Sequence, residues 1–308
     1  METNATKSDT RHLESRYFER MAKSLGDKTK LLRFLPPITV NNPHPRILDI
    51  GAGGGELAVF LGNEGYNMVA LDANKDAIQR INALSSNIET VLVYANEGSN
   101  FLEEESFDAI VCSSILHEIF SYGDPETGIG QEVSLKRAVA DFRKLLKPGG
   151  LLLVRDGVLP DNWKDTGTIT LLKGHDCSSV DLYLKICPFT EASNSEYNEN
   201  TNPTSPLIQL HKIAPKTFEG NVRSILEFAY TYTWGLTSFS REAQELYAVK
   251  TLSEYSVFFE DNGFNVLHSE SYLQEGYARH LSYKMRLEVN GKVDEWFDSN
   301  AIWVSRKV

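Results

Sequence analysis

Between residues 46 and 154 the sequence alternates short apolar runs with segments of helical periodicity, and this pattern restricts the fold more than any other feature. The apolar runs predict strands at Arg46–Ile50, Asn67–Asp72, Glu89–Tyr94, Phe107–Cys112 and Leu151–Val154. Among the segments between them, Ser134–Leu146 places its apolar residues on one helical face. Strands that alternate with helices at this spacing pair in parallel. We therefore predict an α/β fold, with a mostly parallel sheet and helices on both faces.

The N-terminal region predicts a helical extension of this core. Apolar and aromatic positions recur at helical spacing through Glu14–Leu35, and two prolines then end the pattern. We expect residues 1–40 either to cover an edge of the sheet or to close over a ligand as a lid that carries Tyr17 and Arg20.

The C-terminal half predicts an insertion followed by a return to the sheet. Residues 41–156 form the expected core, whereas 157–250 lose the regular alternation and include a polar stretch at Glu191–Pro206, which predicts a loop. In 251–308 two more apolar runs predict final strands at Phe264–His268 and Ile302–Val304. The expected sheet therefore has seven strands, with a large insertion after the fifth.

A glycine-rich loop follows the first predicted strand and reads Asp49-Ile50-Gly51-Ala52-Gly53-Gly54-Gly55-Glu56. In a parallel α/β sheet, ligands bind at this carboxyl edge of the strands, and glycines let the backbone approach them closely. A dinucleotide fingerprint requires a third glycine where Glu56 stands, and a carboxylate there would repel a pyrophosphate. The spacing therefore disfavours a nicotinamide-dependent dehydrogenase.

Two acids frame this loop and indicate a different ligand. Asp49 precedes the first glycine and can face an ammonium group, while Asp72 ends the second predicted strand and can accept hydrogen bonds from a ribose diol. A nucleoside that carries an amino-acid tail and no phosphate satisfies both features.

Five segments together resemble the class I S-adenosylmethionine (SAM)-dependent methyltransferases. These segments are Ile47–Gly55, Leu71-Asp72, Phe107–Cys112, Leu116-His117-Glu118 and Leu145–Gly150. The resemblance covers residues 46–156 well and the region after Thr251 by pattern only. It implies a Rossmann-like methyltransferase fold and SAM as cofactor.

The resemblance also implies roles for individual residues. It implies that the glycine loop, with Asp49, Gly51, Gly53 and Gly55, lines the methionine moiety, and that Asp72 binds the ribose. Asn96 and Glu97 would flank the adenine, although many relatives have Asp where Asn96 stands. Ser113, at the end of the fourth predicted strand, completes the expected cofactor site.

Catalytic groups are expected beyond the fourth and fifth strands. His117 is a candidate general base, because histidine titrates near neutral pH; alternatively its segment simply packs beside the cofactor. Arg155 either clamps an anionic substrate or forms a structural ion pair with Asp156 or another acid. Glu118 likewise either acts on the substrate or makes a structural ion pair.

Composition narrows the class of substrate. The net charge of −11 disfavours nucleic acid and anionic membranes as partners, and no long basic run offsets it. No histidine or carboxylate spacing predicts a metal site, and the three cysteines predict free thiols in the cytoplasm. We therefore expect a small-molecule O- or N-methyltransferase. An RNA or protein methyltransferase of the same fold, or a SAM-binding module without turnover, is the alternative.

Overall fold

The computed structural model describes residues 25–123, 128–190, 208–235 and 237–308. The proposed lid residues Tyr17 and Arg20 and the predicted polar loop at Glu191–Pro206 lie outside these described residues.

The central sheet contains seven strands in the order β3-β2-β1-β4-β5-β12-β9. Its strands are β1 (Arg46–Ile50), β2 (Asn67–Asp72), β3 (Glu89–Leu92), β4 (Phe107–Ser113), β5 (Leu146–Gly157), β9 (Phe264–Tyr272) and β12 (Asn300–Lys307). The first five pair in parallel, and only β12 runs antiparallel to both of its neighbours in this sheet. This topology confirms the predicted mostly parallel, Rossmann-like fold.

The helices lie between the strands as the periodicity predicts. They are α1 (Leu25–Lys28), α2 (Glu56–Asn63), α3 (Lys75–Leu84), α4 (Leu116–Tyr122), α5 (Glu132–Leu145), α6 (Ser178–Ile186), α7 (Val222–Thr233), α8 (Phe239–Glu242), α9 (Leu252–Asp261) and α10 (Tyr277–Ser282). A 3₁₀ helix, Thr29–Phe34, continues α1. Among the described helices none combines the length and the apolar composition that crossing a bilayer requires.

The fifth strand begins earlier than its apolar run predicts. β5 starts at Leu146, which pairs with Phe107, and its register with β4 then shifts before Leu151. The intervening residues, 147–150, bulge out of the ladder, and Gly149 adopts a φ of +74° there. The Pro-Gly-Gly run therefore ends α5, as expected, but does so inside an irregular strand.

A second, antiparallel sheet is the feature that the sequence analysis did not anticipate. Its order is β11-β10-β6-β8-β7. The strands are β6 (Thr166–Leu171), β7 (His211–Ala214), β8 (Thr217–Asn221), β10 (Met285–Val289) and β11 (Lys292–Val293). Residues 285–293, which we expected to complete the central sheet, therefore join the insertion instead. They do so because alternate side chains of β10 are buried and match the alternation of β6.

Two layers of buried side chains hold the central sheet. Neighbouring residues of β1 illustrate this, because Ile47 joins the cluster beneath α2 and α3 whereas Leu48 joins the cluster beneath α5. The cluster that contains Leu48 continues without a break through Ile169 of the second sheet and Ile225 of α7. The insertion is thus packed onto one face of the central sheet, at the end where β4 and β5 finish.

Candidate active site

Backbone conformation explains the glycines between β1 and α2. Gly51, Gly53 and Gly55 have φ angles of +66°, +55° and +80°, which side chains with a Cβ rarely adopt. The N–H groups of Gly51 and Ala52 both donate to the carbonyl oxygen of Leu71, at 2.8 and 3.1 Å. The loop is therefore folded tightly over the end of β2.

Close packing gives two of these glycines a second constraint. A Cβ on Gly51 would lie 2.6 Å from side-chain atoms of Ile115, and one on Gly55 would lie 2.4 Å from Ile81. Because the neighbours approach from the turn after β4 and from α3, the loop is held from both sides. A larger residue at either position would displace it.

Asp72 ties the loop to the end of β2. One carboxylate oxygen accepts a 2.8 Å hydrogen bond from the N–H of Gly53, and the other accepts one of 2.8 Å from the N–H of Asn74. Asp72, the residue predicted to bind the ribose, thus also holds the glycine loop in place. Asn96 and Glu97, which were predicted to flank the adenine, are half-buried in the loop after β3. In the sheet, β2 lies between β3 and β1.

Asp49 is an acid buried at the base of this crevice. It is 3% exposed, and burial raises its pKa to about 7, with the charges of Asp72 and Glu56 adding to the effect. The nearby ammonium of Lys28 opposes the shift without cancelling it. A carboxylate in this position gains from a further cation. It therefore fits the ammonium of an amino-acid ligand.

Two more buried polar atoms in this region have no hydrogen-bond partner within the described residues. They are Oγ of Ser113, at the end of β4, and Oε2 of Glu56, at the start of α2. An unsatisfied buried polar atom costs about 1 to 3 kcal/mol. Together with Asp49, these atoms show that the crevice suits a ligand with hydrogen-bonding groups. The residues present thus fit SAM.

Arg155 contacts the N-terminal turn. Its Nε donates to the Asp27 carboxylate at 2.7 Å, and its Nη1 donates to Oγ of Ser114 at 2.7 Å. Its Nη2 also donates to the Asp27 carboxylate. Tyr272 donates to the same Asp27 carboxylate at 2.9 Å. Burial disfavours the charge of Asp27, but the Arg155 charge and the hydrogen bonds outweigh burial and hold its pKa below its usual value. The arginine therefore pairs with an acid, as one of our two interpretations expected, but that acid is Asp27.

Asp156 instead organises the start of α4. One oxygen accepts from the N–H groups of Leu116 and His117, at 2.7 and 3.2 Å. The other oxygen lies 2.6 Å from Nδ1 of His117 and 2.7 Å from the N–H of Gly157. Because these interactions favour the charged carboxylate, Nδ1 carries the proton in this contact.

His117 is buried between two carboxylates. Nε2 lies 3.5 Å from Oε2 of Glu245, opposite Asp156. Burial opposes protonation of the ring, but the charges and hydrogen bonds of Asp156 and Glu245 prevail and raise the pKa of His117 well above its usual value. The two acids therefore favour the cationic form of the imidazole, and a ring held in that form is a poor general base.

The insertion supplies three residues of this cluster that the sequence analysis did not single out. Glu245 accepts a 2.6 Å hydrogen bond from the hydroxyl of Tyr122, the ring of Tyr247 stacks on His117 at 5.6 Å, and Glu242 accepts from the hydroxyl of Tyr247. Burial, then the charge of Glu245, raises the pKa of Glu242 to about 7. From the sequence, this segment was placed only within the irregular region 157–250.

Two contacts hold this segment against the end of β5. The buried carboxylate of Glu227, on α7, accepts from the N–H groups of Tyr247 and Ala248 at 2.7 and 2.8 Å. A Cβ on Gly157 would lie 1.7 Å from the carbonyl oxygen of Tyr247, so only glycine permits this approach. The geometry of the cluster thus depends on residues far apart in the chain.

One group of side chains within the described residues could in principle hold a metal ion. His117, Glu118 and Glu245 each offer a ligand atom, and these atoms lie within 4.8 Å of one another. A metal ligand must be a deprotonated imidazole, however, and both carboxylates beside this ring favour its protonation. The expectation of a site without a metal, which rests on sequence spacing, stays a prediction.

This fold and this crevice define a class I SAM-dependent methyltransferase, with SAM as cofactor. In agreement, residues 14–269 match the family described as "Methyltransferase domain", and the chain belongs to that family.

Curated relatives match only part of the chain. An uncharacterized methyltransferase of Synechocystis sp. is 31% identical over 124 residues, which are 40% of this chain and 51% of that protein. The ubiquinone biosynthesis O-methyltransferase of Rickettsia bellii is 32% identical over 119 residues, 35% of this chain and 40% of that protein. The matching segment thus spans at most about half the length of these relatives.

Solved structures match over nearly the whole chain. A SAM-dependent methyltransferase of Mesorhizobium loti has a TM-score of 0.50 and 13% identity, with 94% of this chain and 100% of that chain covered. A chain from the complex of the Haloferax volcanii Trm112 methyltransferase activator with a protein described as a methyltransferase has a TM-score of 0.53 and 12% identity, with 97% and 96% covered. At these identities the likeness shows the fold.

Proposed function

We propose that this chain transfers the methyl group of SAM to an O or N atom of a small molecule. The observation that supports a small acceptor is the burial of the polar cluster beside the crevice: His117 is 6% exposed and Glu245 is 4% exposed. The insertion covers this cluster with Glu245 and Tyr247, so these polar groups are enclosed by protein rather than exposed on a broad surface. The net charge of −11 also favours a small acceptor over RNA.

Glu118 is the proposed proton acceptor for the acceptor atom. It is half-buried on α4, and its carboxylate lies within the same cluster as the side chains of His117 and Glu245. Because α4 follows the end of β4, this carboxylate lies on the same side of the sheet as the glycine loop. Because a sulfonium methyl group is already activated, the protein needs only to orient the nucleophile, exclude water and accept a proton.

His117 and Arg155 then act as positioning residues in this proposal. A cationic His117 fixes Glu245 on one side and Asp156 on the other, which sets the wall of the acceptor pocket. Arg155 joins the end of β5 to Asp27 and so positions the N-terminal turn beside the crevice. Both roles replace the general-base and substrate-clamp roles considered from the sequence.

The proposal is tested with SAM labelled on the methyl group. The protein is incubated with three separate pools from a cell extract: metabolites, total RNA and total protein. We expect label in the metabolite pool, and mass spectrometry of the product then identifies the acceptor atom. Label confined to RNA or protein contradicts the proposal, and SAM binding without label in any pool indicates a binding module.

Glu118→Gln tests the proton-acceptor role once an acceptor is known. We expect kcat to fall by about a hundredfold, within the range of general-base contributions, with the Kd for SAM unchanged. The same loss should lessen at high pH, where the acceptor loses its proton unaided. Glu104→Gln, at an exposed carboxylate, is the matched control. An unchanged kcat in Glu118→Gln rules out the role.

A further inference from the structure

A buried hydroxyl group of the insertion has no hydrogen-bond partner among the described residues. It belongs to Tyr230, on α7, which is only 3% exposed. A buried tyrosine hydroxyl normally has a partner, because an unsatisfied buried polar group is unfavourable. Other buried tyrosines, Tyr183 and Tyr255, pack against phenylalanine rings, whereas Tyr230 contacts tyrosine rings next to the polar cluster around His117.

Tyr230 belongs to a row of rings that begins at His117. The imidazole stacks on Tyr247 with ring centroids 5.6 Å apart. Tyr247 meets Tyr230 edge-on at 6.4 Å, and Tyr230 meets Tyr277 at 5.6 Å. Tyr247 and Tyr277 are half-buried, whereas His117 and Tyr230 are buried. The row thus connects the buried polar cluster with rings that solvent reaches.

The sequence of α7 explains why Tyr230 lies in this row. Glu227 and Tyr230 are three residues apart, so they share one face of the helix. The Glu227 carboxylate accepts from the N–H of Tyr247 at 2.7 Å, so this face is turned toward the segment that carries Tyr247. Three residues further on, Oγ1 of Thr233 lies 3.3 Å from the hydroxyl of Tyr277. The helix thus places Tyr230 between the segments that supply the other two tyrosines.

Carboxylates outnumber cations around this row in the part of the chain that the structure describes. The acids are Asp156, Glu227, Glu242 and Glu245. His117 and Arg241 pair directly with members of this set, and Arg223 acts on Glu227 from farther away. Burial raises the pKa values of Glu227 and Glu242 to about 7, and a further cation would favour their charged forms.

Tyrosine rings and an excess of carboxylates together suit a cationic ligand. The face of a tyrosine ring attracts an ammonium group, and the attraction strengthens where water is excluded. A phenolic oxygen also accepts a hydrogen bond from an ammonium N–H. An anionic ligand would be repelled by the same carboxylates.

We propose that the methyl acceptor carries a protonated amine, which donates a hydrogen bond to the hydroxyl of Tyr230 within an amine subsite formed by the rings of Tyr230, Tyr247 and Tyr277. The inference rests on the proposed methyl transfer to a small molecule and names the class of that molecule. It concerns how the acceptor is recognised, and the methylated atom is O or N as before. Tyr230 is a substrate-binding residue in this proposal.

Separation of the metabolite pool by charge tests the class of acceptor. Before the reaction, the pool is passed over a strong cation exchanger at about pH 3, where amines are protonated and most carboxylates are neutral. The retained and unretained fractions are then each incubated with the protein and methyl-labelled SAM, and labelled products other than SAM are counted. We expect label in the retained fraction.

The two proposals fail in different ways in this experiment. Label confined to the unretained fraction overturns the amine subsite and leaves methyl transfer to a small molecule intact. Label in neither fraction overturns methyl transfer to a small molecule, and the amine subsite with it.

Tyr230→Phe tests the residue, because it removes only the hydroxyl group. We expect the KM for the retained acceptor to rise by about tenfold, with kcat changed less than about twofold and the Kd for SAM unchanged. Since the hydroxyl has no partner among the described residues, the variant without acceptor should unfold at the wild-type temperature or above it.

Tyr283→Phe, at a tyrosine that is 68% exposed, is the matched control and should change none of these quantities. An unchanged KM in Tyr230→Phe overturns the subsite. A lower unfolding temperature overturns it as well, because the hydroxyl would then stabilise the protein itself.

Discussion

The carboxylate of Asp156 lies 2.6 Å from Nδ1 of His117 and also accepts a hydrogen bond from the backbone N–H of the same residue. One side chain at the end of β5 thereby fixes the start of α4 and the orientation of a buried imidazole. Glu245 from the insertion contacts the opposite side of that ring. The cofactor-binding core and the insertion are thus joined through a histidine held between two acids.

This pair should make stability depend on pH above neutrality. The pKa of His117 is raised in the folded state and that of Asp156 is lowered. The pair therefore stabilises the fold in the pH range between these two folded-state pKa values, where both groups are charged. It should be complete near pH 6 and be lost as the pH rises through the folded pKa of His117. We expect His117→Gln to lack this alkaline loss in urea unfolding from about pH 6 to about pH 10.

Parallel curves for the two proteins would contradict the prediction. Titrations of other groups occur in both proteins and cancel in the difference.

SAM affinity should rise with pH around neutrality. The pKa of Asp49 is raised to about 7, so below that pH the carboxyl group is largely protonated and cannot pair with the ammonium of SAM. We expect the Kd to fall by up to about tenfold per pH unit as the pH increases toward 7, and then to level off. Asp49→Asn should bind more weakly and without this dependence. A flat wild-type profile excludes an ion pair between Asp49 and the cofactor.

Gly51→Ala should abolish SAM binding without unfolding the protein. The added Cβ meets Ile115 at 2.6 Å, and the φ of +66° strains any residue other than glycine. We expect a loss of stability of about 1 to 3 kcal/mol, together with loss of calorimetric binding. Gly62→Ala, within α2, is the control: its Cβ meets only ordinary contacts at 3.8 Å or more, so binding should be retained. Normal binding by Gly51→Ala rules out a closely packed loop.

Asp72→Ala should affect both binding and stability. The change removes the proposed ribose acceptor and leaves the N–H groups of Gly53 and Asn74 without their carboxylate partner. We expect SAM binding to weaken by about tenfold or more, or about 1.4 kcal/mol, and the unfolding temperature to fall. Glu104→Ala, at an exposed carboxylate, should change neither. Unchanged affinity would remove Asp72 from the cofactor site.

A chelator should leave methyl transfer unchanged. The trio of His117, Glu118 and Glu245 is close enough to suggest a cation site, but the acids beside the ring favour its protonated form, and a metal ion would have to displace that proton. We expect dialysis against EDTA, followed by addition of Mg²⁺, Mn²⁺ or Zn²⁺, to alter the rate by less than about twofold. Loss of activity that one of these ions restores would assign the trio as a metal site.

Local pattern was sufficient to predict the central sheet and the glycine loop. Hydrophobic periodicity records which face of each strand or helix is buried, and the position of Gly51 after the first strand follows from sequence spacing alone. Asp49 and Asp72 were predicted for the same reason, because each lies at a strand end that the sequence itself marks. The second sheet was missed because β10 pairs with β6 across more than a hundred residues of chain.

The sequence by itself determined the fold class and the residues at the carboxyl ends of the strands, since neighbours in the chain establish these, and its resemblance to a known family implied the cofactor. Only the tertiary structure decided that Arg155 pairs with Asp27 and that Glu245 lies opposite Asp156 across His117. These partners are brought together by packing of the insertion and of the N-terminal turn onto the sheet. Their burial, which sets their charges, depends on chain segments that no local pattern connects.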